Sequence, residues 1–431
     1  MAAKLYETTS GRLFHAGAVA VITVGLPARG KTHASRSLCR YMRWLGVSTK
    51  VFSVGNYRRE QLGSLSEEWF DPNNAKAAEV RLEIADKCLD DCISWLQTGG
   101  GQVAIFDGNN VLETRRREIH DKLVANDIHP LFLEFICNKP DIILSNIRSV
   151  KISSPDYVGW DPEEAVKIKD YKRRIKQHEE NYETITDVGL PFVKNMNAGE
   201  QFIVNNVIGY LQSRIVYNLM NLHIQPRTIY FARCGPSHND NSYKADANLT
   251  AEGEKYAETL KDFVMAYQEQ KRANSLEEPQ GILTVWTSTQ KKALETAIPF
   301  VNAGVPVRQQ SVLNQLNPGE SDGLTPEQIK LNFPEEIAKV KENPYRHRYP
   351  RAESYHDLAV RLESVIMELE REKNDVLIIA HETVLRCLYA YLFDRPATEI
   401  PTISIPRSCL IEITPSAYGC KESRMEIATT P

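Results

Sequence analysis

Short apolar runs alternate with stretches of helical periodicity along most of this chain. Ala18-Val19-Ala20-Val21-Ile22-Thr23-Val24 is the first such run, rich in β-branched residues, and predicts a buried strand. A helix through Leu45 follows, then a strand near Val51–Val54. A helical pattern from about Ala75 to Leu96 ends at Gly99-Gly100-Gly101, and Val103–Phe106 and Leu131–Ile136 read as further buried strands. A helix from about Val204 to Asn221 closes the series. Ile224-Gln225-Pro226-Arg227 then breaks the chain, and a strand at Thr228–Ala232 opens a second series. This contains a helix near Glu252–Gln270, a strand at Ile282–Trp286, a helix from Gln290, a helix at Tyr355–Glu372, a strand at Val376–Ala380 and a helix from Thr383. Strands separated by helices imply mainly parallel sheets covered on both faces. The pattern therefore predicts two α/β domains, 1–223 and 224–431, with no internal repeat. The charged stretch Asn274–Pro279 reads as a surface loop.

Between the first strand and the first helix lies Gly25-Leu26-Pro27-Ala28-Arg29-Gly30-Lys31-Thr32, a complete G-x-x-x-x-G-K-T loop. Such a loop lets successive backbone N–H groups surround a β-phosphate, while Lys31 reaches the outer phosphates and the Thr32 hydroxyl holds Mg²⁺. The helix N-terminus adds its partial positive charge. The chain is expected to bind ATP or GTP.

Composition narrows the remaining classes. The 431 residues carry a formal net charge of -4, so no broad positive field would attract nucleic acid or an anionic membrane. No apolar stretch approaches the ~20 residues that span a bilayer, and Thr8, Ser10 and Arg12 interrupt any secretory pattern at the start. The eight cysteines are scattered without a C-x-x-C pair, which argues against zinc and fits a reducing, cytoplasmic setting. Cys88 and Cys92 stand one helical turn apart and read as core packing.

Several segments add chemistry to the loop. Asp107 closes a strand, the usual place for a carboxylate that binds Mg²⁺ directly or through water. Gly55–Glu60 follows another strand and carries Arg58 and Arg59; Arg115-Arg116-Arg117 begins a helix after Asp107. Lys151 precedes the turn sequence Ser154-Pro155-Asp156-Tyr157, and Arg173 and Arg174 lie in a charged helix. Taken singly, these basic clusters read as solvated surface. Beside a phosphate-binding loop they suggest a small polyanionic acceptor gripped by guanidinium forks.

Gly25–Thr32, Val51–Glu60, Ile105–Asp107 with Asn110, Arg148–Lys151 and Ser154–Tyr157 resemble the kinase domain of the 6-phosphofructo-2-kinase/fructose-2,6-bisphosphatase family. The likeness continues through Gln212-Ser213-Arg214 and the second half. It implies a P-loop kinase domain that transfers the ATP γ-phosphate to the 2-hydroxyl of fructose 6-phosphate, giving fructose 2,6-bisphosphate. By that resemblance Gly25, Ala28, Arg29, Gly30, Lys31 and Thr32 would hold the nucleotide, with Asn146 near its base. Thr32 and Asp107 would serve Mg²⁺, and Lys151 would neutralise the transferring phosphate. Arg58, Arg59, Arg81, Arg115 and Arg174 match the family's sugar-phosphate and catalytic arginines. Asn109 stands where the family usually has a threonine and His178 where it has a tyrosine; both keep hydrogen-bonding ability.

The second half resembles the histidine-phosphatase fold, a phosphoglycerate-mutase-like α/β domain whose first strand ends in Arg-His-Gly. Here the sequence is Arg233-Cys234-Gly235, so Cys234 replaces the histidine that becomes phosphorylated. Cysteine phosphatases use C-x-x-x-x-x-R instead, but the sixth residue after Cys234 is Asp240, expected to repel phosphate and raise the thiol pKa. Gln315 stands where the family's glutamate protonates the leaving oxygen. Lys292 replaces an arginine, Asp240 an asparagine and Glu382 a glutamine, while Arg233, His381, Arg346, Arg348 and Arg351 persist. The expected protein is a cytoplasmic, homodimeric kinase with a degenerate bisphosphatase domain. A bifunctional enzyme with weak residual hydrolysis and a non-catalytic metabolite-binding regulator are the alternatives.

Overall fold

The structure, a computed structural model, describes residues 18–63, 74–153, 172–173, 175–223, 227–238, 240, 246–274, 282–416 and 419–427. Two compact α/β units divide near residue 225. The Ser154–Tyr157 turn, Arg174 and nearly all of the Asn274–Pro279 loop lie outside the described residues.

In the first unit, β1 (Val19–Val24) is buried at every position, as its mainly apolar run requires. It lies between β3 (Val103–Asp107) and β4 (His129–Ile136), parallel to both. The full order is β2-β3-β1-β4-β5-β6, with β2 at Thr49–Ser53, β5 at Phe192–Met196 and β6 at Gln201–Asn205. Only the β5–β6 pair is antiparallel. The helices are α1 (Lys31–Trp44), α2 (Val54–Leu62), α3 (Ala75–Gln97), α4 (Glu113–Val124), α5 (Pro140–Ser153) and α6 (Tyr210–Asn221). Cys88 and Cys92 of α3 are fully buried against Phe52 and Phe106, as core packing predicts. Because β1 has neighbours reached by crossovers in opposite directions, a crevice opens at its carboxyl end.

The second unit repeats the architecture with the order β12-β11-β7-β10-β8-β9. Its central strand β10 (Val376–Ala380) runs parallel to β7 (Ile229–Arg233) and β8 (Thr284–Thr287). Strand β9 (Val307–Gln309) is also parallel, whereas β11 (Cys409–Ser416) returns antiparallel to β7 and carries β12 (Gly419–Glu426) outside it. The helices are α7 (Ala251–Asn274), α8 (Lys291–Asn302), α9 (Pro326–Asn332), α10 (Pro334–Glu342), α11 (Tyr355–Arg361), α12 (Glu363–Arg371) and α13 (Glu382–Leu392). No described helix is long and apolar enough to cross a membrane.

Two expected helices are corrected. The helix read over Val204–Asn221 starts only at Tyr210, because Gln201–Asn205 forms the edge strand β6. Asn205 ends that strand by donating its amide to the Val188 and Leu190 carbonyls, and Asn206 turns the chain at φ 51°. The helix read over Tyr355–Glu372 is two helices, broken at Leu362, whose ψ of -3° interrupts the ladder while its side chain stays buried.

Candidate active site

The loop after β1 is shaped by two glycines. Gly25 has φ 134°, and a Cβ there would fall 2.5 Å from the Phe135 carbonyl oxygen, so a side chain is excluded on both counts. Gly30 has φ 88° and immediately precedes α1, whose N-terminus has no side-chain cap and turns its first N–H groups to the crevice. Ala28 also adopts positive φ, 60°. Asn146 donates to the Ala28 carbonyl at 3.1 Å, bracing the loop from α5. Arg29 is nearly buried, donates to the Pro27 carbonyl and faces Glu179 at 3.6 Å.

Lys31 folds back into this loop, donating to the Gly25 and Leu26 carbonyls at 2.8 and 2.6 Å. Burial pulls its ammonium down to about 7, although Asp107 opposes the shift. The Thr32 hydroxyl donates to Asp107 Oδ2 at 3.0 Å, so strand β3 and helix α1 meet through the two side chains expected to hold a metal. Their hard oxygen donors fit Mg²⁺. Burial pushes the Asp107 carboxyl up, against Lys31 and the hydroxyls of Thr32 and Thr23.

Thr23 escaped the sequence reading. Its hydroxyl sits 3.4 Å from Asp107 Oδ1, donates to the Gly108 carbonyl at 2.8 Å and accepts from Gly108 N–H at 3.0 Å. A polar residue inside the run Val19–Val24 was the available signal. Asn110, at φ 44°, donates to the Thr23 carbonyl, and the Asn109 carbonyl accepts from Gly25 N–H. The segment after Asp107 is therefore tied to β1 and the loop after it, main chain to main chain at Asn109 and Gly25 and through the side chains of Thr23 and Asn110.

The predicted arginines divide. Arg115 pairs with Asp86 of α3 at 2.5 Å and with Glu118 at 3.2 Å. Arg58 and Arg59 lie on α2, where Arg59 donates to Asn56 Oδ1 at 2.5 Å. Tyr57 joins α2 to α3 through Asp91, and Arg81 sits half-buried on α3. The helices bearing these arginines, α2, α3 and α4, are thus joined through side chains on α3. His178 is half-buried in the helical residues 175–179. Lys151 falls in α5, but its side chain lies outside the described residues, as does Arg174.

In the second unit, a cavity of ≈ 190 Å³ opens at the carboxyl ends of β7 and β10. Arg233, Cys234, Asp240, Lys292, Gln315, His381 and Glu382 all line it. Arg348 and Arg351 do not: they are largely exposed and face Asp357 and Glu320 at 3.5 and 3.4 Å. Arg351 is carried outward by a turn in which its own φ is 57°. The cavity instead includes Arg407, which approaches from the segment before β11 and had no signal in the sequence pattern.

Cys234 is 4 % exposed, and burial pushes its thiol up to about 12 despite the positive Lys292, Arg407 and Arg233 nearby. The expected cause, repulsion by Asp240, is corrected. Asp240 accepts from the Ser237 hydroxyl at 2.5 Å and pairs with Arg407 at 3.0 Å. Burial opposes its ionisation, but the Ser237 bonds and these cations hold its carboxyl below the usual range. Burial also drives the imidazole of His381 well below its ordinary value, helped by the charges of Lys292 and Arg233. Its Nε2 is buried without a hydrogen-bond partner among the described residues. Glu382, first in α13, accepts from Arg386 at 2.7 Å and pairs with Arg233 at 3.1 Å.

Residues 6–226 match the 6-phosphofructo-2-kinase family, and residues 229–428 match the histidine phosphatase superfamily (branch 1). The chain is 42% identical over 414 residues to 6-phosphofructo-2-kinase/fructose-2,6-bisphosphatase 3 of Rattus norvegicus, covering 93% of this chain and 70% of that protein. To the Homo sapiens protein of the same name it is 42% identical over 410 residues, covering 93% and 75%. To 6-phosphofructo-2-kinase/fructose-2,6-bisphosphatase 1 of Homo sapiens it is 41% identical over 408 residues, covering 93% and 83%. With both modules present in this order and that identity along nearly its whole length, the chain belongs to the bifunctional 6-phosphofructo-2-kinase/fructose-2,6-bisphosphatase family.

Proposed function

We propose that this chain is a single-activity member of its family, transferring the ATP γ-phosphate to the 2-hydroxyl of fructose 6-phosphate while having lost fructose-2,6-bisphosphate hydrolysis. The kinase half keeps what phosphoryl transfer needs, which is positioning and charge neutralisation. Gly25, Ala28, Arg29 and Gly30 shape the loop for the nucleotide phosphates, Asn146 supports it, and Lys31 exchanges its carbonyl partners for phosphate oxygens. Thr32 and Asp107 would hold Mg²⁺, whose charge would offset that developing on the phosphates. Arg58, Arg59, Arg81, Arg115 and Arg174 receive the sugar phosphate with Asn109 and His178, and Lys151 offsets charge on the group in transit.

One observation carries the loss of hydrolysis. The side chain in the nucleophile's place, Cys234, is buried with its thiol held near 12, so almost none is thiolate at neutral pH. Gln315 offers no titratable proton for the leaving oxygen. A second reading, weak residual hydrolysis, is favoured by His381, a neutral imidazole that lines the same cavity and whose buried Nε2 has no hydrogen-bond partner among the described residues. Both activities are to be assayed on one preparation, with fructose 2,6-bisphosphate labelled on the 2-phosphate. ATP-dependent product without label release above a mock control supports the first reading, and label release removed by His381→Ala supports the second.

The eight thiols form no disulfide, which supports a reducing cytoplasmic setting. A homodimer is supported by β6, an edge strand that leaves Ile203 and Val204 exposed, together with Val188 and Ile208 nearby. Light scattering of the purified protein, compared with a Val204→Lys variant, tests that assembly.

A further inference from the structure

Anion pockets are usually judged by how many cations line them, but what those cations already hold matters as much. Among the described residues, the second cavity has three cationic side chains, Arg233, Lys292 and Arg407, and two carboxylates, Asp240 and Glu382. Each carboxylate sits on one of the arginines. Glu382 Oε2 is 3.1 Å from Arg233, and Asp240 Oδ2 is 3.0 Å from Arg407. Neither is a loose surface pair. The other oxygen of Glu382 accepts from Arg386, itself fixed by the Tyr355 hydroxyl at 2.9 Å and the Ile403 carbonyl at 2.6 Å. The other oxygen of Asp240 accepts from the Ser237 hydroxyl. Arg233 also donates to the Ile405 carbonyl at 3.1 Å. Only Lys292 has no ion pair among the described residues, and burial lowers its ammonium pKa.

We propose that Asp240 and Glu382 stand in for phosphate oxygens, closing this cavity to phosphate monoesters by occupying Arg407 and Arg233 from within the chain. A phosphate dianion entering there meets two fixed negative charges, and the guanidinium forks that would grip it are already engaged. Exclusion is thus a property of binding, separate from the missing nucleophile and acid. It rests on the reading of this cavity as non-hydrolysing, yet its test reads binding alone.

Orthophosphate is titrated calorimetrically into the full-length chain. The loop of the first half contributes equally to every variant, so the readout is the heat lost when Lys292 is changed to Met. Asp240→Asn with Glu382→Gln keeps side-chain shape and one acceptor oxygen in each while removing both charges. The double variant is expected to gain one Lys292-dependent site, tighter than any in the native chain by on the order of a hundredfold. Native protein with a Lys292-dependent site as tight as the double variant's would overturn the proposal, as would a folded double variant that gains none. If circular dichroism shows the double variant unfolded, each single change is expected to give roughly a tenfold gain. Absence of gain in both singles overturns it equally. Label release from fructose 2,6-bisphosphate by the native chain would sink the earlier reading, and its loss in Lys292→Met would overturn this one with it. A double variant that gains no site while the native chain releases no label overturns this one alone.

Discussion

The loop after β1 and the cavity of the second unit both lie at the carboxyl ends of parallel strands, but the cations at their centres, Lys31 in one and Arg233 and Arg407 in the other, differ in the kind of partner they hold. In the first, Lys31 rests on two backbone carbonyls, neutral acceptors that an incoming phosphate readily replaces. In the second, Arg233 and Arg407 rest on carboxylates. Exchanging a carbonyl for a phosphate gains a charge-assisted bond, whereas expelling a carboxylate leaves a partly buried charge unpaired. Two sheets of similar design thus arrive at opposite readiness for anions.

The comparison breaks most decisively at Asp107. Asp107→Asn is expected to lower kinase turnover on the order of 10³-fold, measured as ATP-dependent formation of fructose 2,6-bisphosphate; near-native turnover would remove this site from the chemistry. Rebuilding the second cavity is the next test. Cys234→His alone should raise label release by less than about tenfold, because Gln315 still supplies no acid, while adding Gln315→Glu and Asp240→Asn should add roughly 10²-fold. Full activity from the single change would show that nucleophile loss alone separates the halves. Backbone shape gives a smaller effect: Gly25→Ala places a Cβ against the Phe135 carbonyl at an unfavourable φ, costing about 1–3 kcal/mol and lowering Tm by several degrees. An unchanged Tm would mean the loop relaxes freely.

The smallest effect concerns protons. Lys31 titrates near 7 in the ligand-free fold rather than at its ordinary 10.5, so at pH 8 its amine is mostly neutral. A bound phosphate favours the ammonium, and Mg²⁺-free ADP should therefore take up a fraction of a proton at pH 8. That uptake should vanish below about pH 6, where the amine is already charged. Calorimetry in two buffers of different ionisation enthalpy measures it, and proton release at pH 8 would contradict the assignment.

The sequence made the central strands legible because burial on both faces writes a mainly apolar run, as in Val19–Val24 and Val376–Ala380. Strands β5, β9 and β12 carried no such mark. Phe192-Val193-Lys194-Asn195-Met196 mixes polarity, β9 has three residues, and β12 is mostly exposed. The loop Gly25–Thr32 was readable since its function needs local spacing. Thr23 and Arg407 were not, because their roles depend on partners 84 and 167 positions away, Asp107 and Asp240. Arg348 and Arg351, expected at the site from the family resemblance, instead face Asp357 and Glu320 away from the cavity lining.

The run Arg115-Arg116-Arg117 shows how little three identical neighbours share once folded. Arg115 is anchored to Asp86 on the adjoining helix. Arg117, more than half exposed, pairs with Glu113 and Asp187. Arg116 is 1 % exposed and donates to the Asn110 and Val111 carbonyls, clamping the segment whose other atoms reach Thr23 and Gly25. Successive residues on a helix point about 100° apart, so one patch of charge becomes a hinge pin, a strut and a surface tether. Erasing the triplet together would merge three unrelated injuries into one phenotype, and only substitution one at a time lets each arginine speak for its own surroundings.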